Sequence, residues 1–413
     1  MVDTSAAARG SGRSKNLEAI GETAPLETLD ADGTVSVSML NGEAEVTMRA
    51  VSLPDAVTAF LEANTQLVRS AMAGGASGPA GGGVAGGASG SASGAAAGVA
   101  GETATVTAAA GKKDAVGGAI ESMDEFFAEL DRLLRADGWA DKAGVSVDRL
   151  MSLGPRMYGP NLLFNGIAGY PRRSLADLRG VRDKKDVLAA MESGVTAEAE
   201  AEAKALAAMD NSLITGFQLA TLSGPMAGEP MMGVCFVVTG FSGAASAELN
   251  SGQVMSAMKE ACRLSFLAQP CRLMMAMYTC DIQASSEVLG KVYAVLSRRQ
   301  GSVLSEDMKE GSDVFIIEAK LPVVESFGFA EEMRKRASGA ASPQLVFSHW
   351  EALDDDPFWV PTTEEELAHY GEKADSESIA RRYMDGIRRR KGLAVYEKLV
   401  EHAEKQRNLG RNK

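Results

Sequence analysis

The residues best suited to chemistry lie near the end of the chain, where Arg388, Arg389, Arg390 and Lys391 follow one another. Guanidinium groups present paired N–H donors that match phosphate oxygens, so the cluster points to an anionic partner; a solvated helical face is the plainer alternative. From Ile379 to Lys413 the chain adds Arg381, Arg382, Lys398, Lys405, Arg407, Arg411 and Lys413 against four acids, whereas the whole chain carries a net charge of −13. An acidic body with a basic tail predicts a local anionic contact. It argues against a protein that coats nucleic acid over its whole surface.

Other reactive residue types form no catalytic pattern. Cys235, Cys262, Cys271 and Cys280 contain no CxxC pair, and His349, His369 and His402 all lie downstream of them, so a zinc site is not indicated. Four irregularly spaced cysteines in a long chain fit reduced thiols of an intracellular protein. His349 alternates with Phe347 on an expected strand and suits a structural role, while His369 and His402 fall in polar helical stretches. Glu364-Glu-Glu366 suits a solvated first helical turn after Thr362-Thr363, and Asp354-Asp-Asp356 suits a turn and linker. A P-loop hydrolase needs Gly-x4-Gly-Lys-Ser/Thr, whose amides cradle phosphate and whose hydroxyl holds magnesium. The nearest string, Gly111-Lys112-Lys113-Asp114, lacks that hydroxyl. Gly81, Gly83 and Gly86 match the dinucleotide fingerprint, but no strand precedes them and no helix follows. No catalytic residue, cofactor site or metal site is expected in this chain.

The elements that position these residues follow from periodicity. A length of 413 residues leaves room for two or three domains. Residues 1–32 are small and polar, with no signal-peptide apolar stretch, and are expected to be disordered. Thr34–Met39 alternates with period two, Asn41-Gly42 suits a type I′ turn, and Glu43–Ala50 continues as a second strand. After Pro54-Asp55, the residues Val57, Phe60, Leu61, Asn64, Leu67, Val68 and Met72 predict one helix with a polar interruption at Asn64. An Ala/Gly/Ser tract follows over 73–117 and reads as a flexible insertion. Met123, Phe126, Phe127, Leu130, Leu133 and Leu134 then mark a helix that ends at Gly138, and two Gly-Pro pairs within Leu153–Asn165 predict a rigid loop before a short strand. Residues 196–209 predict a solvent-facing Ala/Glu helix, with further ordered elements at Ser212–Ser223 and Met231–Thr239. A helix over Gly252–Ala268 should bury Val254, Met258, Ala261, Cys262 and Ser265.

The last domain is the most regular. Arg272–Ala284 predicts a strand and Ser286–Arg299 a helix with Val288, Leu289, Val292, Tyr293 and Leu296 inward. Ser302–Glu306 and Asp313–Leu321 predict strands, Ser326–Arg336 a helix, and Gln344–Leu353 a final strand. The order βαββαβ is the split-βαβ, ferredoxin-like pattern.

Five segments carry a family resemblance: Gly159-Pro-Asn-Leu-Leu163, Ser212-Leu-Ile-Thr-Gly-Phe-Gln218, Gln269-Pro-Cys-Arg-Leu273, Leu321-Pro-Val-Val-Glu-Ser-Phe-Gly-Phe329 and Pro343-Gln-Leu-Val-Phe-Ser-His-Trp350. Together they resemble the fourth and fifth domains of elongation factor 2 and elongation factor G. Ser223-Gly-Pro-Met-Ala-Gly-Glu-Pro-Met-Met-Gly-Val-Cys235, Asp356–Glu366, Gly371–Glu377 and Glu401–Gln406 are more similar to the elongation factor-like GTPases that mature the large ribosomal subunit. The resemblance implies an α+β chain: a ribosomal-protein-S5-like domain over 33–268, a ferredoxin-like domain over 269–355, and a helical basic tail over 356–413. Partners implied are the large ribosomal subunit and its RNA, the Shwachman–Bodian–Diamond syndrome protein and the anti-association initiation factor, in the cytoplasm, with no membrane and no DNA. GTP and magnesium would belong to a G domain absent from this sequence, which suggests a fragment, an incomplete gene prediction or a truncated product.

Elongation factor 2 carries a diphthamide histidine in an HRGGGQ loop. Matching Gly252-Gln253 to its end puts Glu248 at that histidine and Leu249, Asn250 and Ser251 after it, and an acid cannot become diphthamide. The expected ribosome contacts are Arg156, Glu248, Asn250, Gln253, Arg388, Arg389, Arg390 and Lys391. A translocase remnant is the second reading. A ferredoxin-like small-molecule enzyme is the third, and it would need polar groups converging on one pocket.

Overall fold

The computed structural model describes residues 33–39, 44–74, 122–167, 197–242, 250–309, 311–359, 364–370 and 378–395. In chain order the elements are β1 (Thr34–Met39), β2 (Ala44–Ser52), α1 (Asp55–Ala63), α2 (Thr65–Gly74), α3 (Met123–Arg135), α4 (Trp139–Ala143), β3 (Leu150–Gly154), β4 (Asn161–Asn165), α5 (Ala197–Leu222), β5 (Val234–Ser242) and α6 (Ser251–Leu267). They continue with β6 (Met274–Ser285), α7 (Leu289–Arg298), β7 (Ser302–Met308), β8 (Val314–Pro322), α8 (Phe329–Arg336), β9 (Ala341–Ala352), α9 (Glu364–Tyr370) and α10 (Ile379–Lys391). Two compact units emerge: one of Val51–Gln218 with Gly233–Met255, the other of the chain up to Ala50, Leu219–Met232 and the chain from Ser256. The leader, the Asn41-Gly42 turn, the glycine-rich tract beyond Gly74, Glu248, the 371–377 stretch and the end of the tail lie outside the described residues.

The unit that begins at Val51 is built on α3. Ser122 caps it by accepting the Glu125 N–H at 3.2 Å, and Phe126, Phe127, Leu130 and Leu134 are buried at helical spacing. They pack on Val57 and Leu61 of α1, Val68 of α2, and Leu150, Leu153, Leu162 and Phe164 of the strands. Phe60 stacks on Phe126 at a centroid distance of 5.2 Å. Fully burying a phenylalanine contributes about 1.5–3 kcal/mol, and a ring pair about 0.5–1.5 kcal/mol more. The single helix expected across Asn64 is two helices. The Asn64 side chain donates to the Phe60 carbonyl at 2.9 Å and Thr65 donates to the Leu61 carbonyl at 3.0 Å, taking up acceptors left at the end of α1.

In the same unit β3 pairs antiparallel with β4, and β4 pairs parallel with β5. A parallel pair needs a long crossover, and α5 lies within it. All five residues of β3 and of β4 are buried, as is Val234–Val238 of β5, so these strands lack period-two alternation. The Ala/Glu stretch and Ser212–Ser223 turn out to share α5, whose Phe217 meets Phe236 edge-on at 5.8 Å. The solvent-facing expectation falls on side chains outside the described set, residues 197–208.

In the other unit β1 and β2 pair antiparallel from Thr34↔Arg49 to Met39↔Ala44. Val35 packs with Leu264 and Ala268 at the end of α6, where Met258, Ala261, Cys262 and Ser265 are also buried. The ferredoxin-like part has strand order β7-β8-β6-β9, all antiparallel. Period-two residues Cys280, Ile282 and Ala284 of β6, and Ile317, Ala319 and Leu321 of β8, face Val292, Val295 and Leu296 of α7 and Phe329 and Met333 of α8. The strand β9 starts at Ala341, ahead of the expected Gln344, and tolerates Pro343 because it lies at an edge. Tyr293, expected inward, instead extends its hydroxyl to the Glu306 carboxylate on β7, which with burial pushes the phenol up to about 12. Val295 takes the inward place. The architecture is α+β, and the four-stranded sheet with α7 and α8 has the ferredoxin-like βαββαβ order.

Candidate nucleic-acid interface

The basic cluster sits on α10. Ser378 caps this helix by accepting the Arg381 N–H at 3.2 Å, and Gly392 ends it in the left-handed region at φ 71°. Ala380, Tyr383, Met384 and Arg388 recur at three- and four-residue spacing and are buried. Met384 joins Met226, Ala227, Cys271 and Phe358 in a small core. The helix therefore docks on the Ser223–Met232 segment, the motif with the more specific resemblance.

That docking separates the four cations of the cluster. Arg388 is 8% exposed. Its Nη1 donates to the carbonyls of Met226 at 2.7 Å and Pro225 at 3.1 Å, and its Nε donates to Ala394 at 2.7 Å. Burial pulls its pKa down from the usual guanidinium value, with Asp385 acting in the opposite direction. Arg388 is thus a structural clamp, and its expected surface role is corrected: the side chain is buried and its Nε and Nη1 donors are already engaged. Lys391 reaches the Gly228 carbonyl at 2.9 Å and the Glu229 carboxylate at 2.6 Å, so it also secures the docked segment. Arg389 and Arg390 remain exposed, with Arg382 on the same face over the Tyr383 ring at 5.6 Å. Arg390 Nε donates to its own helix at Gly386 O. None of these three makes an ion pair among the described residues.

The remaining described candidates, Arg156, Asn250 and Gln253, belong to the unit that begins at Val51. Asn250 accepts the Gly252 N–H at 3.2 Å, and Gln253 accepts the Asn250 N–H at 3.2 Å. This reciprocal arrangement is a capping box that starts α6. The Asn-x-x-Gln spacing carried that signal in the sequence. Glu248 lies outside the described residues. Arg156 is exposed on the loop between β3 and β4, where it has φ 60°; a left-handed non-glycine residue costs about 1–3 kcal/mol and needs support from its surroundings. Sequence reasoning missed that support: Gln218, from α5, bonds across the loop base. A helical glutamine facing a distant loop leaves no periodic trace.

In the ferredoxin-like part, Glu332 is bonded by Arg299 at 2.7 Å and by Arg298 at 3.2 Å. The Arg299 hydrogen bond holds the Glu332 carboxyl below the usual carboxylate value. Arg299 also donates to the carbonyls of Glu325 and Phe327, tying the end of α7 to the start of α8. His349 contacts Ser348 at 2.8 Å and lies 3.5 Å from Glu351, a pairing within its own strand.

Residues 272–359, spanning this sheet and its helices, match the family of the elongation factor G C-terminus. The class is that of translation-elongation-factor C-terminal domains. Over 93% of its length the chain is 41% identical to Elongation factor-like GTPase 1 of Homo sapiens, covering 35% of that protein. It is 43% identical to Ribosome assembly protein 1 of Schizosaccharomyces pombe over 69% of this chain and 28% of that protein. With Ribosome assembly protein 1 of Saccharomyces cerevisiae it shares 50% identity over 49% of this chain and 20% of that protein. Over most of its length the chain is thus similar to elongation factor-like GTPases, and its residues 272–359 match the elongation factor G C-terminus. It spans 35% of the length of its mammalian relatives.

Proposed function

We propose that this chain is the ribosome-facing region of a translation-factor-type GTPase that acts in maturation of the large ribosomal subunit in the cytoplasm. The observation that carries the reading is the 41% identity to an elongation factor-like GTPase over 93% of the chain. The names of the two fungal relatives point to ribosome assembly. The cations Arg382, Arg389 and Arg390, without an ion pair among the described residues of an otherwise acidic chain, supply a surface that suits ribosomal RNA phosphates. GTP and magnesium would act through a G domain that this sequence does not contain. Hydrolysis there would drive release of the anti-association initiation factor, together with the Shwachman–Bodian–Diamond syndrome protein.

Co-sedimentation of the purified chain with large ribosomal subunits tests the reading. Binding that weakens with salt is expected, with the anti-association factor remaining on the subunit. Absence of binding at low salt would overturn it.

A further inference from the structure

Arg156 and Met157 are consecutive non-glycine residues with φ of 60° and 69°. Side chains disfavour that region, so an adjacent pair persists only where neighbours impose it. Those neighbours are identifiable here. Gln218 donates to Ser152 Oγ at 2.9 Å and to the Leu153 carbonyl at 2.6 Å, while its own carbonyl accepts the Met157 N–H at 3.1 Å. Asn161, fully buried, donates to the Gly154 carbonyl at 3.0 Å and accepts the Val234 N–H at 3.1 Å. Gly159 closes the turn where a Cβ would collide with the Pro155 ring. Tyr158 lies under the Arg69 guanidinium, 5.8 Å from its ring centroid.

The loop is thus pinned from below while Arg156 is exposed above it. Neither Arg156 nor Arg69 has a carboxylate partner among the described residues. Glycine is used at both ends of this loop, at Gly154 and Gly159, yet the strained position carries an arginine. What arginine adds there, on a constrained backbone, is an unneutralised fork of N–H donors. We propose that the 154–160 loop is a pre-formed phosphodiester-binding element in which Arg156 contacts the RNA backbone and Gln218 is the positioning residue that holds Arg156 in place. The proposal rests on the ribosome-facing reading above. A guanidinium with a constrained backbone gives up less freedom on binding than one on a mobile loop, so a single contact can register in affinity.

The test is co-sedimentation with purified large ribosomal subunits, and with their protein-free RNA, across a salt series. The Arg156→Ala variant should bind about tenfold more weakly, with the salt slope smaller by roughly 0.7 to 0.9. Arg156→Gly should weaken binding to the same extent while melting no lower than the wild type, because glycine accepts the left-handed backbone. Gln218→Ala should match Arg156→Ala, and the double variant should bind no more weakly than Arg156→Ala alone, since one residue acts through the other. If Gln218→Ala fails to fold, the two Arg156 variants still decide. Wild-type binding with unchanged affinity and slope in Arg156→Ala would overturn the loop proposal alone. A wild-type chain that does not bind overturns the wider reading as well. Weakening seen with intact subunits but absent with protein-free RNA would assign Arg156 to a ribosomal-protein carboxylate and overturn the phosphodiester assignment.

Discussion

At the scale of single residues, adjacent arginines have different jobs. Replacing Arg388 with Ala would leave the carbonyls of Pro225, Met226 and Ala394 without their donor, a cost of about 1.5–3 kcal/mol for bonds to a charged group. Thermal unfolding of Arg388→Ala should show a fall of several degrees, whereas Arg389→Ala and Arg390→Ala should melt as the wild type does. Equal melting in all three would contradict the clamp. The buried thiols permit a second measurement. Burial raises Cys262 far above the ordinary thiol value and pushes Cys271 and Cys280 up to about 12. A thiol kept neutral and covered is inert. Alkylation at about pH 8 should leave these three unmodified in the native chain and label them all in denaturant. Native labelling of Cys262 would show that the end of α6 is open.

At the scale of elements, the ion network at Glu332 should make stability depend on pH in one direction. Its carboxyl is depressed in the folded state by the Arg299 hydrogen bond, so the unfolded chain binds the proton more readily there. The stabilisation is present above the ordinary carboxylate value and disappears as pH falls through the depressed one. Glu332→Gln should therefore melt below wild type at neutral pH and approach it in strong acid; a difference that grew on acidification would reverse the sign. The elements themselves were legible to different degrees. The βαββαβ order stood out because Cys280, Ile282 and Ala284 alternate and α7 and α8 repeat at helical spacing. The strands β3 and β4 are buried throughout and give no alternation, so nothing in the local pattern marks β3. The break at Asn64 was visible as a polar interruption, but the side-chain bonds that turn it into a helix end were not. The candidate site was legible as a charge cluster. Burial of Arg388 was not, because two of its three acceptors, the Pro225 and Met226 carbonyls, lie more than 160 residues earlier in the chain.

At the scale of the whole molecule, the proposed function gives recognition to this chain and leaves nucleotide chemistry outside it. The sequence holds no Gly-x4-Gly-Lys-Ser/Thr run, so micromolar binding of a fluorescent GTP analogue to the chain is not expected, and its detection by anisotropy would contradict that division. The most direct test of ribosome recognition is co-sedimentation of the wild-type chain and the Arg389→Ala/Arg390→Ala double variant with purified large ribosomal subunits over a range of salt. If each arginine touches a phosphate, the wild type should bind with a steep salt dependence. The double variant should bind more weakly at low salt, its log–log slope smaller by roughly 0.7 to 0.9 for each phosphate no longer neutralised. Identical affinity and slope in the two proteins would show the exposed face of α10 to be merely solvated, and failure of the wild type to bind at all would contradict the ribosome-facing assignment itself.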